Sequence, residues 1–313
     1  MRPDRVGAVL NPASGGGDAA ALFADMAQWF PDATVDARIT TGPDDVHEAT
    51  VEQAEWADLL VVIGGDGTLR ETVAALVRAD RRTPVFVVPA GRGNSSFRHL
   101  YGSADWRTIA RGLTDGVDAR PIEVGRIESG PTIEHRYFVL GCTAGLFWNA
   151  IETADRLRQL PGALAYLLGT VGAAVLEDPI EVTVGVDGAR LFSGRARLVA
   201  VGGGRYRGND FELLPDSRPG DGTLHVLVVE PVGLLAGARL LRLARAGRIT
   251  EHPAVWYRAG ERATVESDSG VPVELDGTPV ETPLHSVQLS FIPDAVRVAY
   301  PAGDDDNQPS ERS

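Results

Sequence analysis

The sequence predicts an α/β fold in its first third, built on a parallel sheet, followed by a second domain of mostly antiparallel strands. Three observations predict it. Short all-apolar runs alternate with segments of helical spacing up to about residue 88, and three of those runs end in turns rich in glycine and small polar residues. Beyond about Asp118 the pattern changes to strand-like runs joined by tight turns.

The elements follow in order. VGAVLN (Val6 to Asn11) reads as a buried strand, Ala19 to Phe30 as a helix, TVDARIT (Thr34 to Thr40) as an alternating strand, and Asp44 to Trp56 as a helix. Leu59 to Ile63, a helix from about Thr68 to Val77, and Val85 to Val88 complete the series. A βαβα succession of this kind implies a parallel sheet with helices on both faces and ligands at the carboxyl ends of its strands. In the second part, IEVTVGVDGARLF, RARLVAVGGG, TLHVLVVE, VPVELDGTPVE and SVQLSFIP are strand-like, with hairpin turns at Asp187-Gly188 and Asp276-Gly277. Two helical stretches interrupt them, Leu160 to Leu176 and Gly233 to Arg245. The 313 residues exceed one average domain, which gives an expected division into 1–118, 119–301 and an acidic tail, 302–313, that frays.

Charge restricts the partners. The chain has 43 acidic residues against 30 basic ones, no lysine, and a net charge of −13. That balance fits a protein kept soluble in high salt, and it excludes a general nucleic-acid surface, which needs a basic face. Cys142 is the single cysteine, which rules out an intramolecular disulfide and a thiolate-rich metal site and fits a reducing cytoplasm. No apolar stretch of signal-peptide length precedes Asn11-Pro12, and Leu160 to Leu176 is uncharged but short for a membrane span. That segment reads either as a core helix or as a lining for an acyl chain.

The three glycine-rich turns are Asn11 to Gly17, Gly64-Gly65-Asp66-Gly67-Thr68, and Pro89 to Ser95. Glycine admits positive φ and close approach to a ligand, while the following helix offers unpaired N–H groups, so three such turns at one sheet edge suit phosphate. Asp66 among them either holds Mg²⁺ through water or caps a helix. With no Walker motif and no lysine, phosphate charge is left to backbone amides, metal and arginine; Arg70, Arg92 and Arg98 are nearest.

Asn11-Pro12-x-Ser14-Gly15, Gly64-Gly65-Asp66-Gly67-Thr68 with Leu69-x-Glu71, and Pro89-x-Gly91-x-Gly93-Asn94 together resemble the diacylglycerol kinase catalytic-domain family, which includes sphingosine kinases and bacterial-type lipid kinases. Val199 to Val226 is similar to that family's glycine-rich strand and metal loop, and Val273 to Thr278 to its Asp-Gly-Glu segment. The resemblance runs from Val6 to about Val298. It implies an N-terminal α/β nucleotide domain, a C-terminal β-sandwich, and ATP- and Mg²⁺-dependent transfer of a phosphoryl group to diacylglycerol or a related lipid. By the same resemblance the nucleotide lies against Asn11, Pro12, Ser14, Gly15, Thr41, Gly64 to Thr68, Arg70, Arg92 and Asn94. A structural Mg²⁺ is implied at Arg218, Asp221 and Thr223.

The residues also depart from the family pattern. Arg92 stands where the family has Thr or Ser, Ser95 where it has Asp, and Gly203 where it often has Asn. Thr278 stands where bacterial-type members carry the Glu that accepts the proton, which leaves Asp66 and Asp276 as the available catalytic carboxylates. Two other readings stay open: a catalytically weak nucleotide- or lipid-binding homologue, and an NAD kinase, which shares Gly64 to Thr68. The expected setting is cytoplasmic, with visits to a membrane surface that presents the lipid, no transmembrane span, and a homodimer left open.

Overall fold

The computed structural model describes residues 2–14, 19–128, 136–145, 178–207, 211–280 and 283–303. The helical stretch at 160–176 and the tail from 304 onward lie outside the described residues. The chain forms two compact units, one of Met1–Val124, Arg218–Asp221 and Ile292–Ser313, the other of Gly125–Ser217 and Gly222–Phe291. The sequence reading sets the boundary at 118 and gives everything up to 301 to the second domain. In the structure the first unit runs to Val124 and regains the chain from Ile292, because Val298 pairs there with Val85.

The first unit alternates strands and helices as expected: β1 (Arg5–Leu10), α1 (Ala19–Ala27), β2 (Thr34–Ile39), α2 (Pro43–Trp56), β3 (Leu59–Gly64), α3 (Asp66–Arg78), β4 (Val85–Pro89), α4 (Ser95–Tyr101) and α5 (Trp106–Asp115). The strands pair in parallel in the order β2-β1-β3-β4. Every residue of β3 is buried, which is why it reads as an unbroken apolar run. β2 is the edge, and its Ile39 is 67% exposed. α2 starts with Pro43 and carries Asp44 and Asp45 in its first turn, where fixed φ and negative charge both favour a helix.

α4 and α5 escape the sequence reading. α4 has only seven residues, and its stability comes from elsewhere in the unit: the Tyr101 ring packs on Phe97, Phe86 and Tyr300, and its hydroxyl donates to Ala299 O at 3.2 Å. The Tyr300 hydroxyl in turn donates to Leu100 O at 2.9 Å. Such contacts join residues some 200 positions apart, beyond the reach of local periodicity.

The second unit is a β-sandwich. β5 (Val117–Glu128) leads into it; β6 (Arg136–Phe138), β7 (Gly141–Gly145), β8 (Ile180–Val186), β9 (Ala189–Ala196), β10 (Leu198–Gly202), β11 (Tyr206–Arg207), β12 (Phe211–Glu212) and β13 (Leu224–Val229) follow. Then come α6 (Leu234–Arg245), a short 3-10 helix (Ile249–Glu251), β14 (Val255–Gly260), β15 (Arg262–Val271), β16 (Val273–Leu275), β17 (Thr278–Pro279) and β18 (Leu284–Pro301). One sheet runs β14-β13-β10-β7-β16-β17, and the facing one joins β18, β15, β8 and β9, all antiparallel within this unit. β18 continues into the first unit, where Val298 pairs in parallel with Val85.

Alternation along β13 shows how the sandwich is built. Leu224, Val226 and Val228 face the core between the sheets, whereas Leu227 and Val229 join Leu240 and Ala244 of α6 in a second core. β13 is thus buried on both faces, and each full burial of such a side chain contributes roughly 1.5–3 kcal/mol. Both predicted hairpin turns form: Asp187 and Gly188 have φ of 51° and 77°, Asp276 and Gly277 of 47° and 83°. Positive φ at both central residues matches the twist of the flanking strands.

Candidate functional site

The parallel sheet brings the first-unit turns together because β1, β3 and β4 are neighbours and end on the same side. Asn11 and the Thr68 side chain are tied directly, with Asn11 Nδ2 donating to Thr68 Oγ1 at 2.9 Å while the Ala13 amide donates to Asn11 Oδ1 at 3.0 Å. The exposed Pro12 and half-buried Ser14 continue that turn, and the Ser14 amide closes it on Asn11 O at 3.1 Å. Gly15 lies outside the described residues.

The glycines answer a packing demand. Gly64, Gly65 and Gly91 all have negative φ, so the expected left-handed backbone is absent from these positions, and among the described residues of the three turns only Asn94 is left-handed, at 48°. A Cβ on Gly64 would lie 2.5 Å from Thr68 Cβ, and one on Gly91 would lie 2.5 Å from Gly65 Cα. The strand ends and the start of α3 approach too closely for side chains. Asn94 fastens the third turn, its Oδ1 accepting from Gly91 N and its Nδ2 donating to Gly91 O, both at 2.8 Å.

Asp66 is a cap, but of a distant helix. Its Oδ1 accepts from Ser96 N at 2.8 Å and its Oδ2 from Ser95 N at 3.2 Å, so the second turn holds the first turn of α4 in place. Ser95 and Ser96 enter through their amides, which no reading of side-chain types could show. α3 itself starts at Asp66 with no side-chain cap among the described residues, and the first amides of a helix have no partner within it. Gly67 and Thr68 share that first turn. Arg70 forms an ion pair with Glu71 at 2.5 Å, and Arg92 is exposed on the third turn. Thr41, next to the first turn, gives its amide (2.9 Å) and hydroxyl to Asp45, and this hydroxyl bond, then the amide, holds the Asp45 carboxyl below its ordinary range.

The loop expected to hold a metal is a turn in which the Arg218 amide donates to Asp221 Oδ2 at 2.8 Å. Its side chains are one engaged carboxylate, one guanidinium and the half-buried Thr223, and a guanidinium has no lone pair to give a cation. Among the described residues no three His, Cys, Asp or Glu side chains gather. Any cation held here would be met by the Asp221 carboxylate together with backbone carbonyls and water, the ligands a hard cation takes.

In the second unit Asp276 is 5% exposed and held by backbone amides. Its Oδ2 accepts from Val139 N at 2.6 Å, and its Oδ1 from Leu140 N and Gly141 N, each at 2.9 Å. The carboxylate grips the entrance to β7, so a substrate hydroxyl would share it with these amides. Thr278 is exposed on β17, opposite Leu275.

The sequence reading missed Glu274, 2% exposed on β16. It accepts from the Thr143 hydroxyl and from the Gly277 amide. Burial pushes its carboxyl up, against the pull of the buried Arg207 guanidinium. Among the described residues Arg207 Nε and Nη2 have no hydrogen-bond partner. The available signal was a lone acid between Val273 and Leu275 in a strand buried throughout. The thiol of Cys142 beside them is also pushed up, first by burial and then by Glu274.

Comparison with known proteins finds two family models. The diacylglycerol kinase catalytic domain matches residues 5–127, and the YegS C-terminal NAD kinase beta sandwich-like domain matches residues 142–300, half of the chain. A diacylglycerol kinase of Staphylococcus carnosus (strain TM300) is 26% identical over 235 residues, 74% of each chain. A crystal structure from Bacillus anthracis strain Sterne, provisionally described as a diacylglycerol kinase, superposes with a TM-score of 0.77 over 96% of each chain at 23% identity, a likeness of fold. Yeast NADH kinase complexed with NADH shares the fold more distantly, with a TM-score of 0.51 and 10% identity over 96% of this chain and 84% of its own.

Proposed function

We propose, from the premise that this chain belongs to the diacylglycerol kinase family, that it transfers the γ-phosphoryl group of Mg²⁺-bound ATP to a hydroxyl of diacylglycerol or a related lipid. The observation that carries the reading is the sheet edge of the first unit, where three turns meet around the uncapped start of α3. Amide donors and the positive helix end suit the phosphates of a nucleotide. Gly65 and Gly67 keep that backbone bare, Asn11 and Asn94 hold the turns, and Arg92 is the exposed cation beside them. Mg²⁺ enters with the nucleotide as part of the substrate and neutralises phosphate charge.

Phosphoryl transfer of this kind needs positioning more than proton chemistry, because in a loose transition state the hydroxyl proton leaves late. A carboxylate fixed by three amides, as Asp276 is, is a rigid hydrogen-bond acceptor. In this reading it orients the hydroxyl with its remaining lone-pair capacity. The testing experiment measures ADP release by the purified chain with and without diacylglycerol. Lipid-dependent release supports the reading, and release that requires NAD instead would replace it.

One observation favours a second reading, a nucleotide- and lipid-binding homologue of low turnover. Thr278 is an exposed hydroxyl at the position of the family's proton acceptor, and the nearby carboxylates of Asp276 and Glu274 are both engaged. ATP binding without lipid-dependent ADP release would support it.

A further inference from the structure

Helix α6 concentrates features that the rest of the chain avoids. Between Glu230 and Glu251 there are twenty residues without an acid and with four arginines, Arg239, Arg242, Arg245 and Arg248, in a chain whose net charge is −13. Leu234 and Leu235 at the start of the helix are 76% and 89% exposed, well above any other large apolar side chain among the described residues except Ile39. The opposite face is fixed: Leu240 and Ala244 are buried against Leu227 and Val229 of β13. With 100° per residue, Leu234, Leu235, Ala238, Arg242 and Arg245 therefore share the solvent side, and all are exposed.

The arginines are unequally committed. Arg248 is paired with Glu251 at 2.6 Å, and Arg239 lies near Glu251 and His252. Arg245 lies over the Phe211 ring at 4.9 Å, and Arg242 forms no ion pair among the described residues. Two exposed leucines ahead of guanidinium groups on one helix face match a bilayer interface, where apolar side chains enter the acyl boundary and cations meet anionic headgroups. The net charge of the whole chain would repel the same surface, so attraction must be local, and a local patch also fixes orientation.

We propose that the solvent face of α6 is the surface by which this protein docks on an anionic lipid bilayer. The idea rests on the kinase reading only for its purpose, delivery of the protein to a lipid substrate; the binding itself is independent of it. Among the described residues no helix is long and apolar enough to cross a membrane, so docking here means lying on the surface.

The test is co-sedimentation of the full chain with vesicles of phosphatidylcholine, with and without phosphatidylglycerol, at the lowest salt that keeps the protein folded. The wild type should pellet with the anionic vesicles and much less with the neutral ones. Leu234→Gln/Leu235→Gln and Arg242→Gln/Arg245→Gln should each lower partitioning by about tenfold or more, with unchanged melting temperatures. Equal partitioning of wild type and both variants overturns the proposal. So does a wild-type dimer that Leu234→Gln/Leu235→Gln converts to monomer without any vesicle binding, because the face then belongs to a second copy. ADP release with short-chain diacylglycerol in nonionic micelles is measured alongside. Its absence in a wild type that binds vesicles counts against the kinase reading and leaves the docking surface standing.

Discussion

Asp276 and Asp187 occupy the same place in their turns, and each sets its carboxylate on backbone amides of a neighbouring segment. Asp187 Oδ1 accepts from Glu261 N and Arg262 N at 3.0 and 2.9 Å, while Asp276 uses both oxygens on Val139, Leu140 and Gly141. The shared geometry makes amide capture a property of these Asp-Gly hairpins, and only the second is buried. Asn tolerates the left-handed backbone at either site, but its single carbonyl can replace only one carboxylate oxygen. Asp187→Asn should therefore change stability by less than about 0.5 kcal/mol. Asp276→Asn should cost about 1–3 kcal/mol, because its NH2 group would face the Val139 N–H. Denaturant melts check both. Turnover of the folded Asp276→Asn protein should fall by roughly tenfold or more if the residue also orients a hydroxyl; unchanged turnover would confine Asp276 to holding residues 139–141.

The glycine turns give a graded pair of substitutions. A Cβ on Gly65 would meet Gly91 Cα at 3.1 Å, a contact that a small shift relieves, whereas one on Gly91 would meet Gly65 Cα at 2.5 Å and Asn94 Oδ1 at 2.9 Å. Gly65→Ala should fold and lose ATP affinity by about 1–3 kcal/mol as its methyl intrudes where phosphate approaches. Gly91→Ala should lose stability as well, by a similar amount, since two backbones must part. Calorimetry with ATP and thermal melts on both variants provide the check.

Local patterns made much of this legible. The apolar runs of β1, β3 and β4 and both Asp-Gly turns follow from burial and backbone geometry that each residue carries with it. What stayed hidden depends on partners far along the chain. α4 is capped by Asp66, about thirty positions earlier, and locked by Tyr300, about two hundred positions later. The glycines of these turns meet a demand for close approach rather than for positive φ, and the crowding between two strand ends has no signature in either turn alone. Asp276 and Glu274 show the same limit: the residue type suggests chemistry, and only three-dimensional neighbours reveal that amides already hold the carboxylates.

Glu274 supplies a pH test. Its folded carboxyl titrates above the unfolded range, so the stability linked to its neutral form is complete below the unfolded value and is lost as pH rises through the folded one. Glu274→Gln mimics the neutral form and can still bond Thr143 and Gly277. The variant should match wild type in acid and melt higher above neutrality, with a gap that widens as pH rises. A gap that shrinks with rising pH would mean that the Arg207 charge outweighs burial at this site.

Salt should act on the whole chain. Forty-three acids, thirty arginines and a net charge of −13 repel within the folded state, and screening relieves that repulsion. The ion pairs Arg2–Asp32 and Arg248–Glu251 are more than half exposed on the arginine side, so screening them removes little. Melting temperature should rise from dilute buffer to molar KCl. A flat response would remove the case for adaptation to salt and leave the absence of lysine as a matter of composition.

Thr278 gives the most direct test of turnover. It lies on β17 immediately after the Asp276-Gly277 turn, paired with Leu275, and it is exposed, so a longer side chain has room without disturbing the hairpin. Glu274 cannot substitute for an acid at this place as it stands, because it is buried and its oxygens hold Thr143 and Gly277. A carboxylate at position 278 would be solvated and free of the three amides that hold Asp276. Thr278→Glu should leave the melting temperature nearly unchanged and raise lipid-dependent ADP release, by about tenfold or more if general-base assistance is what the natural residue lacks. ATP affinity should not move, because the turns proposed to hold the nucleotide belong to the other unit. A folded Thr278→Glu protein with ATP affinity intact and no gain with any diacylglycerol would show that the missing carboxylate is not what limits turnover, and if wild type is equally silent, the binding-protein reading stands in place of the kinase.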